Sequence, residues 1–401
     1  MKINSWYLAP FLILLSCCNN HEQSQTDKSS EKKSGSVEQL GIQPIKNQSF
    51  SDRKWVLTDF YADKRELKEL VDSIFQSLSD AEKAAQMIMA ATSEYEGIGL
   101  PFKAVLGLYR NRIIGSVLFL KGRRTEFTDQ INILNKISQA NNILPAVFAC
   151  DCEPSLFHKK FTDAAPLTPA SELNNITEVQ KVAATISLEM KRMGLHWNFA
   201  PVVDINTNQE IINNRSFGNN FKDVVEKSSA FIQTSTEHNV TTTLKHFPGH
   251  GSVTGDSHSN LVFIDSQLVE LNNFTSIMRN ANPVSIMVGH IAIKNNPGFN
   301  TSGMPATISK RIVSDLLKDS LGFRGIVVTD AMNMGAVKNI EDADFKAVLA
   351  GNDIVLIPEQ VQSLHKRIIA LLKSNDKTRK RVSASVKRII RLKICLGLLD
   401  Y

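Results

Sequence analysis

Two apolar rhythms alternate along most of this chain. Short runs of apolar or β-branched residues fall at residues 87–91, 113–120, 146–151, 197–204, 241–246, 284–290, 326–330 and 353–357. Runs this short, without polar alternation, predict strands covered on both faces. Between them the apolar residues recur every three or four positions, which predicts helices over 64–78, 129–140, 172–193, 224–239, 267–280, 309–320, 340–349, 360–373 and 379–396. Ser79-Asp80-Ala81-Glu82 has the form of a capping box that opens one further helix. Eight buried strands alternating with helices predict an α/β chain folded as a (β/α)8 TIM-type barrel, one catalytic domain over 55–401. A doubly wound open sheet is the rival, but no Gly-rich dinucleotide fingerprint follows an early strand.

The rhythm is absent before residue 55. Met1-Lys2 is followed by an apolar run from Trp6 to Leu15, too short to cross a bilayer as a stable helix. It ends in Leu14-Leu15-Ser16-Cys17, which resembles a lipobox and predicts a lipoprotein signal over 1–16, with Cys17 lipidated as the mature N-terminus. Several acyl chains on one Cys exceed the two signals that stable anchoring requires. An ordinary secretory signal with an incidental Cys is the plainer alternative. Residues 17–54 then read as the lipidated end and a flexible linker. Its stretch 19–39 is polar and lacks aromatic residues, so it cannot bury a core. A tether of about 20 residues reaches roughly 25 Å. The protein is therefore expected at the cell envelope, on the periplasmic face of a membrane, through its N-terminal lipid. Cys18, not Asp, follows Cys17, so nothing favours inner-membrane retention.

Composition narrows the class further. With 401 residues, 42% of them hydrophobic, the chain can bury a large core, and a net charge of +6 makes no general case for nucleic acid. The basic residues concentrate near the C-terminus. There Val382, Val386, Ile389, Ile390 and Ile394 form one stripe at helical spacing, as expected of a helix packed on the barrel with a solvated cationic face. Cys150, Cys152 and Cys395 read as packing residues. A monomer without metal or organic cofactor is expected.

In a parallel barrel the chemistry sits where the strands end. Five predicted strands end in polar residues: Asp151, Asp204, Lys245-His246, His290 and Asp330. Asp204 fits a loop brace as well as a ligand. The fifth strand runs into Lys245-His246-Phe247-Pro248-Gly249-His250-Gly251-Ser252-Val253-Thr254-Gly255-Asp256-Ser257-His258, which gathers three of the chain's nine His. A P-loop is excluded because Asp256-Ser257 follows Gly255. Zinc held by His250, Asp256 and His258 matches no common spacing. Acid/base chemistry remains, with Asp256 orienting and charging His258, beside the plainer reading of a surface turn.

These motifs resemble the family-3 glycoside hydrolases, in their β-N-acetylglucosaminidase branch. The likeness is carried by the stretch 245–258, by Gly325-Ile326-Val327-Val328-Thr329-Asp330-Ala331-Met332-Asn333-Met334-Gly335-Ala336, by Pro305-Ala306-Thr307-Ile308-Ser309, and by Asn214-Arg215-Ser216-Phe217-Gly218. The resemblance implies an exo-acting, retaining enzyme that removes terminal β-linked GlcNAc from peptidoglycan or chitin-type fragments. Asp330 would be its nucleophile, and His258 with Asp256 its acid/base dyad. Asp151, Lys159, Arg215, Lys245 and His246 would bind the sugar, with Asp204 and His290 in support. A β-glucosidase of the same family, or a sugar-binding lipoprotein without activity, are the alternatives. The third strand departs from the family pattern. It reads Asp151-Cys152-Glu153-Pro154-Ser155-Leu156-Phe157-His158-Lys159, with Pro-Ser for Gly-Gly and Lys159 where a second Arg stands. Lys cannot make a bidentate fork, so sugar specificity is expected to differ.

Overall fold

The protein's structure is a computed structural model that describes residues 54–205, 207, 211–251, 253, 255, 257, 259–374 and 377–399. The leader, Cys17 and the linker to residue 53 lie outside the described residues, as do Asp256 and His258.

Ten strands follow one another: β1 (Ile88–Thr92), β2 (Ser116–Phe119), β3 (Val147–Cys150), β4 (Trp197–Asn198), β5 (Thr241–Phe247), β6 (Val262–Asp265), β7 (Ser285–Val288), β8 (Ile291–Lys294), β9 (Ile326–Thr329) and β10 (Val355–Leu356). Eight of them make one parallel sheet in the order β10-β1-β2-β3-β4-β5-β7-β9. Val328 bridges to Ile354, and the Thr329 N–H donates to the Ile354 carbonyl at 3.1 Å, joining β9 to the β10 edge. The result is a (β/α)8 barrel whose sheet strands are all buried, each at a place where the sequence predicts one.

The departures have local causes. The fourth apolar run pairs as a strand over two residues only, because Pro201 has no N–H to give the ladder. Its continuation still crosses to the next strand: the Val203 N–H donates to the Lys245 carbonyl at 2.9 Å. β6 and β8 pair in parallel as a separate two-stranded sheet that the apolar pattern did not announce. A helix over Phe102–Arg110, which runs through Gly107, was not expected either. The helix expected to start at 172 starts at Ile176, because Asn175 caps it by accepting from the Glu178 N–H. The predicted capping box is made in both directions, Glu82 N–H to Ser79 and Ser79 N–H to Glu82.

The C-terminal helix, Lys377–Cys395, buries all five residues of its predicted stripe. Its cationic face is only partly solvated. Lys393 is fully buried, and Arg388 reaches inward to Asp353 at 3.0 Å. Cys150, Cys152 and Cys395 are buried free thiols.

Candidate active site

The parallel strands all end at one face of the barrel. A cavity of about 630 Å³ opens there, lined by Asp151, Lys160, Arg215, Lys245, His246 and Asp330 among its polar groups, with Leu118, Leu120, Met287, Met334 and Leu356 as apolar walls.

Strand alternation sends neighbouring side chains to opposite faces. Lys245 and His246 nevertheless both line the cavity. The cause is a register shift: Leu244 pairs with Ile286 but Phe247 with Val288, so β5 carries one residue more than β7 over this step. Such a bulge re-aims side chains. The Lys245–His246 peptide is cis.

Around Lys245 lies a buried network of charge. Its ammonium reaches Asp151 Oδ1 at 2.9 Å and Glu153 Oε1 at 2.6 Å. Arg215 grips Glu153 with two parallel bonds, Nε to Oε2 at 2.8 Å and Nη2 to Oε1 at 2.7 Å. Lys160 closes on the other Asp151 oxygen at 3.3 Å. Burial by itself would push both carboxyl pKa values up. Lys245 and Lys160 overcome it at Asp151, holding that group well below the usual carboxylate range. At Glu153, Arg215 and Lys245 pull the pKa down to about 2. Burial opposes the charge of Lys245, but Asp151 and Glu153 raise its pKa, so it stays a cation. Arg215 rises for the same reason, against burial and in favour of its pairing with Glu153.

Asp204 has no exposed surface and organises the end of β5 and the loop after it. It accepts from the His246 N–H at 3.0 Å, from His246 Nδ1 at 2.7 Å and from the His250 N–H at 2.8 Å. With Nδ1–H committed to the carboxylate, the tautomer of His246 is set by Asp204. Burial opposes the Asp204 charge, and His246 beside it holds the pKa down. Glu270, also buried, ties the loop after β4 to the loop after β5: it accepts from the Ile205 N–H at 2.9 Å and the Gly251 N–H at 3.3 Å. The two backbones approach so closely that a Cβ on Gly251 would lie 2.0 Å from the Ile205 carbonyl oxygen. Only Gly fits there.

Asp330 follows β9 directly and lines the cavity; its Oδ1 accepts from the Ala331 N–H at 2.8 Å. His290 braces the same turn. Its Nε2–H donates to the Ala331 carbonyl at 2.9 Å, and Nδ1 lies 2.8 Å from the Thr307 hydroxyl. A carbonyl can only accept, which places a proton on Nε2.

The structure thus brings Asp151, Arg215, Lys245, His246 and Asp330 together, and sets Asp204 and His290 just behind them. Lys159 is corrected: it is exposed and does not line the cavity, whereas Lys160 does. A one-residue choice inside the four-residue helix Phe157–Lys160 has no periodicity to decide it. Glu153 was passed over although it lies two residues after Asp151, and both reach the same ammonium. Glu270, far along the chain from the loops it joins, leaves no local signal. The altered third-strand turn has a role of its own, since the Ser155 hydroxyl donates to the Asn214 carbonyl at 2.6 Å, beside Arg215. Among the described residues, no group of three His, Cys, Asp or Glu is placed to hold a metal ion.

Comparison with known proteins bears on the family and the fold. The chain is similar to β-hexosaminidase A of Pseudoalteromonas piscicida, 34% identical over 53% of this chain and 40% of that protein, so it spans well under half of that relative's length. It is 28% identical to the β-hexosaminidase LpqI of Mycobacterium tuberculosis over 79% of this chain and 83% of that one. The solved structure of M. tuberculosis LpqI superposes with a TM-score of 0.69 at 27% identity, covering 80% of this chain and 95% of that chain. A family 3 β-N-acetylglucosaminidase from Paenibacillus superposes with a TM-score of 0.72 at 24% identity, covering 80% and 63%, and shares the fold. The glycosyl hydrolase family 3 N-terminal domain model matches residues 81–392, most of the chain, which therefore belongs to glycoside hydrolase family 3.

Proposed function

We propose that the chain is an exo-acting, retaining β-N-acetylglucosaminidase that removes terminal β-linked GlcNAc from peptidoglycan or chitin-type fragments. The observation that carries this reading is the convergence of one carboxylate on a strand end, Asp330, with a fixed set of sugar-binding groups on a single cavity. The names of the hexosaminidase relatives support the substrate. Asp151, with a Lys on each oxygen, stays ionised and accepts hydrogen bonds from sugar hydroxyls. Lys245, Lys160 and Arg215 donate to them.

In the first step the Asp330 carboxylate bonds to the anomeric carbon as the glycosidic C–O bond breaks. His258, charged by Asp256, gives its proton to the departing oxygen. In the second step His258 takes a proton from water as the water oxygen displaces Asp330. The sugar leaves with its configuration retained, and His258 is ready to act as acid again. An imidazole titrating near neutral pH can serve both steps. The same reading places the enzyme at the periplasmic face of a bacterial envelope membrane, tethered through Cys17 and acting as a monomer in peptidoglycan recycling.

Asp330→Ala tests the assignment. Turnover of an aryl N-acetyl-β-glucosaminide should fall by about a thousandfold or more, with the thermal midpoint little changed. Retained turnover sinks the reading. Faster cleavage of the matching β-glucoside by the wild-type enzyme moves the activity to a β-glucosidase.

A further inference from the structure

We infer that an apolar flank of the cavity reads the C5–C6 edge of the bound sugar, and that Ile357 sets this specificity. The substrates it selects are N-acetylglucosaminides whose C6 is a methyl or an unsubstituted hydroxymethyl group. A charged group at C6 excludes a sugar. The inference rests on the glycosidase reading above and narrows its substrate class.

The flank follows from the order of the strands. In the ring β10-β1-β2-β3-β4-β5-β7-β9, closed between β9 and β10, β3 and β9 stand four places apart and face each other across the mouth. Asp151 follows β3 and Asp330 follows β9. One way round between them, the polar lining is Arg215 after β4 with Lys245 and His246 on β5. The other way round, at β10, β1 and β2, the lining side chains are Leu356, Ile357, Ile98, Leu118 and Leu120. Among the described residues no polar side chain lines this second flank.

A pyranose has two sides to match. With C1 at Asp330, C4 lies across the ring toward Asp151. C2 and C3 form one edge, with the acetamido group and a hydroxyl. C5 and C6 form the other, which is mostly C–H surface. Arg215, Lys245 and His246 suit the first edge. The reverse placement would set the acetamido N–H and the C3 hydroxyl against apolar side chains without partners. The C5–C6 edge therefore meets the apolar flank.

Ile357 stands out on that flank. Its φ is 49°, a left-handed backbone that is a genuine outlier for a β-branched residue. It also precedes Pro358, which favours extended backbone at this position. Bonds on both sides hold the conformation. The Ile357 N–H donates to the Met89 carbonyl at 2.8 Å, and the Leu356 carbonyl accepts from the Met332 N–H at 2.9 Å. The end of β10 is thus pinned to β1 on one side and to the turn of Asp330 on the other. Asn or Gly would adopt this φ at less cost, yet a branched apolar side chain stands there and lines the cavity. Strain of this kind collects at ligand-binding sites.

The test compares 4-nitrophenyl N-acetyl-β-glucosaminide with its 6-deoxy, 4-deoxy and 6-phosphate forms. On the wild type the 6-deoxy form should keep kcat/KM within about threefold of the parent or exceed it. The 4-deoxy form should lose about tenfold or more, because the Asp151 network loses a partner. The 6-phosphate form should lose about a hundredfold or more, because its charge meets apolar side chains. Ile357→Asn should shift the 6-deoxy-to-parent ratio of kcat/KM about tenfold toward the parent, since an amide replaces the apolar wall. Ile357→Val keeps a branched apolar side chain and should keep the ratio. A 6-deoxy loss equal to the 4-deoxy loss, a 6-phosphate form cleaved like the parent, or a ratio that Ile357→Asn leaves unchanged overturns the inference. A wild-type enzyme that cleaves none of the four sinks the glycosidase reading instead. Calorimetric titration with GlcNAc and its 6-deoxy and 4-deoxy forms then decides the flank by the same order of affinities, and equal or absent binding overturns it.

Discussion

Each end of the barrel holds a buried carboxylate gripped by one Lys and one Arg, and the two sets differ in what remains unsatisfied. At the strand C-termini, Glu153 lies between Lys245 and Arg215, and Lys245 extends the network to Asp151. At the opposite end, Asp353 lies between Lys318 and Arg388, both at 3.0 Å. Asp353 also accepts from the Ser385 hydroxyl and the Val327 N–H, so one carboxylate meets four donor groups and has no exposed surface. A carboxylate offers about four acceptor positions, and those of Asp353 are taken. Asp151 meets two donors, Lys245 and Lys160, and is one-fifth exposed into the cavity. Equal charge is thus arranged for opposite ends. The lower set is closed and can only hold structure, while the upper set keeps acceptor capacity that a sugar hydroxyl can fill.

The comparison breaks most visibly at Asp353. Asp353→Ala leaves Lys318 and Arg388 facing each other without a counter-charge. Removing one partner of a buried ion pair costs about 3–5 kcal/mol. Denaturant unfolding should show a loss of that size, while kcat/KM per folded molecule stays at the wild-type value. A fall in activity of the folded fraction would show that the lower set also shapes the catalytic end. Lys160→Ala is the reciprocal case. Lys160 is partly exposed and makes one 3.3 Å bond, so stability should move by no more than about 0.5 kcal/mol. One charge-assisted bond to a sugar hydroxyl is worth about 1.5–3 kcal/mol, and kcat/KM on an N-acetyl-β-glucosaminide should fall about tenfold or more. Steady-state kinetics beside a melting curve separates the two outcomes.

How far each end could be read in the sequence follows from the same contrast. The catalytic end is made largely of residues at strand ends, where an apolar run stops at a charge. Asp151, Lys245-His246 and Asp330 were legible because each marks such a stop, and Arg215 because it sits in a recognisable loop. The eight strands were legible because each is covered on both faces and reads as one run of apolar or β-branched residues. β6 was not, because half of its residues are exposed. Lys160 was misread as Lys159, since a single helical turn gives no phase. The lower network was invisible. Lys318, Arg388 and Lys393 lie on helices whose charged positions look alike in sequence, and only packing decides which of them turn inward. The expectation of a solvated cationic face on the last helix held only in part for that reason.

Lys393 gives the sharpest sign. Its ammonium is fully buried and has two neutral partners, Gln86 Oε1 and the Gly115 carbonyl at 3.1 Å. Burial without a carboxylate pushes its pKa down from 10.5 to about 7. Below pH 7 the amine is charged in both folded and unfolded chains, and the folded state bears the desolvation. Between pH 7 and about 10.5 the unfolded chain binds a proton that the folded chain does not, so stability from this group rises with pH across that window. Lys393→Met abolishes the dependence, because nothing remains to titrate. The variant should therefore compare best with the wild type near pH 6.5. It should lose ground steadily toward pH 10, where the wild-type amine is neutral and still bonded while the variant leaves Gln86 and Gly115 without their donor, a deficit of about 1–3 kcal/mol. Melting curves of both proteins at half-unit steps of pH read the difference directly. A gap that stays constant with pH means the ammonium finds another counter-charge, and the closed character assigned to the lower end then has to be given up at this position.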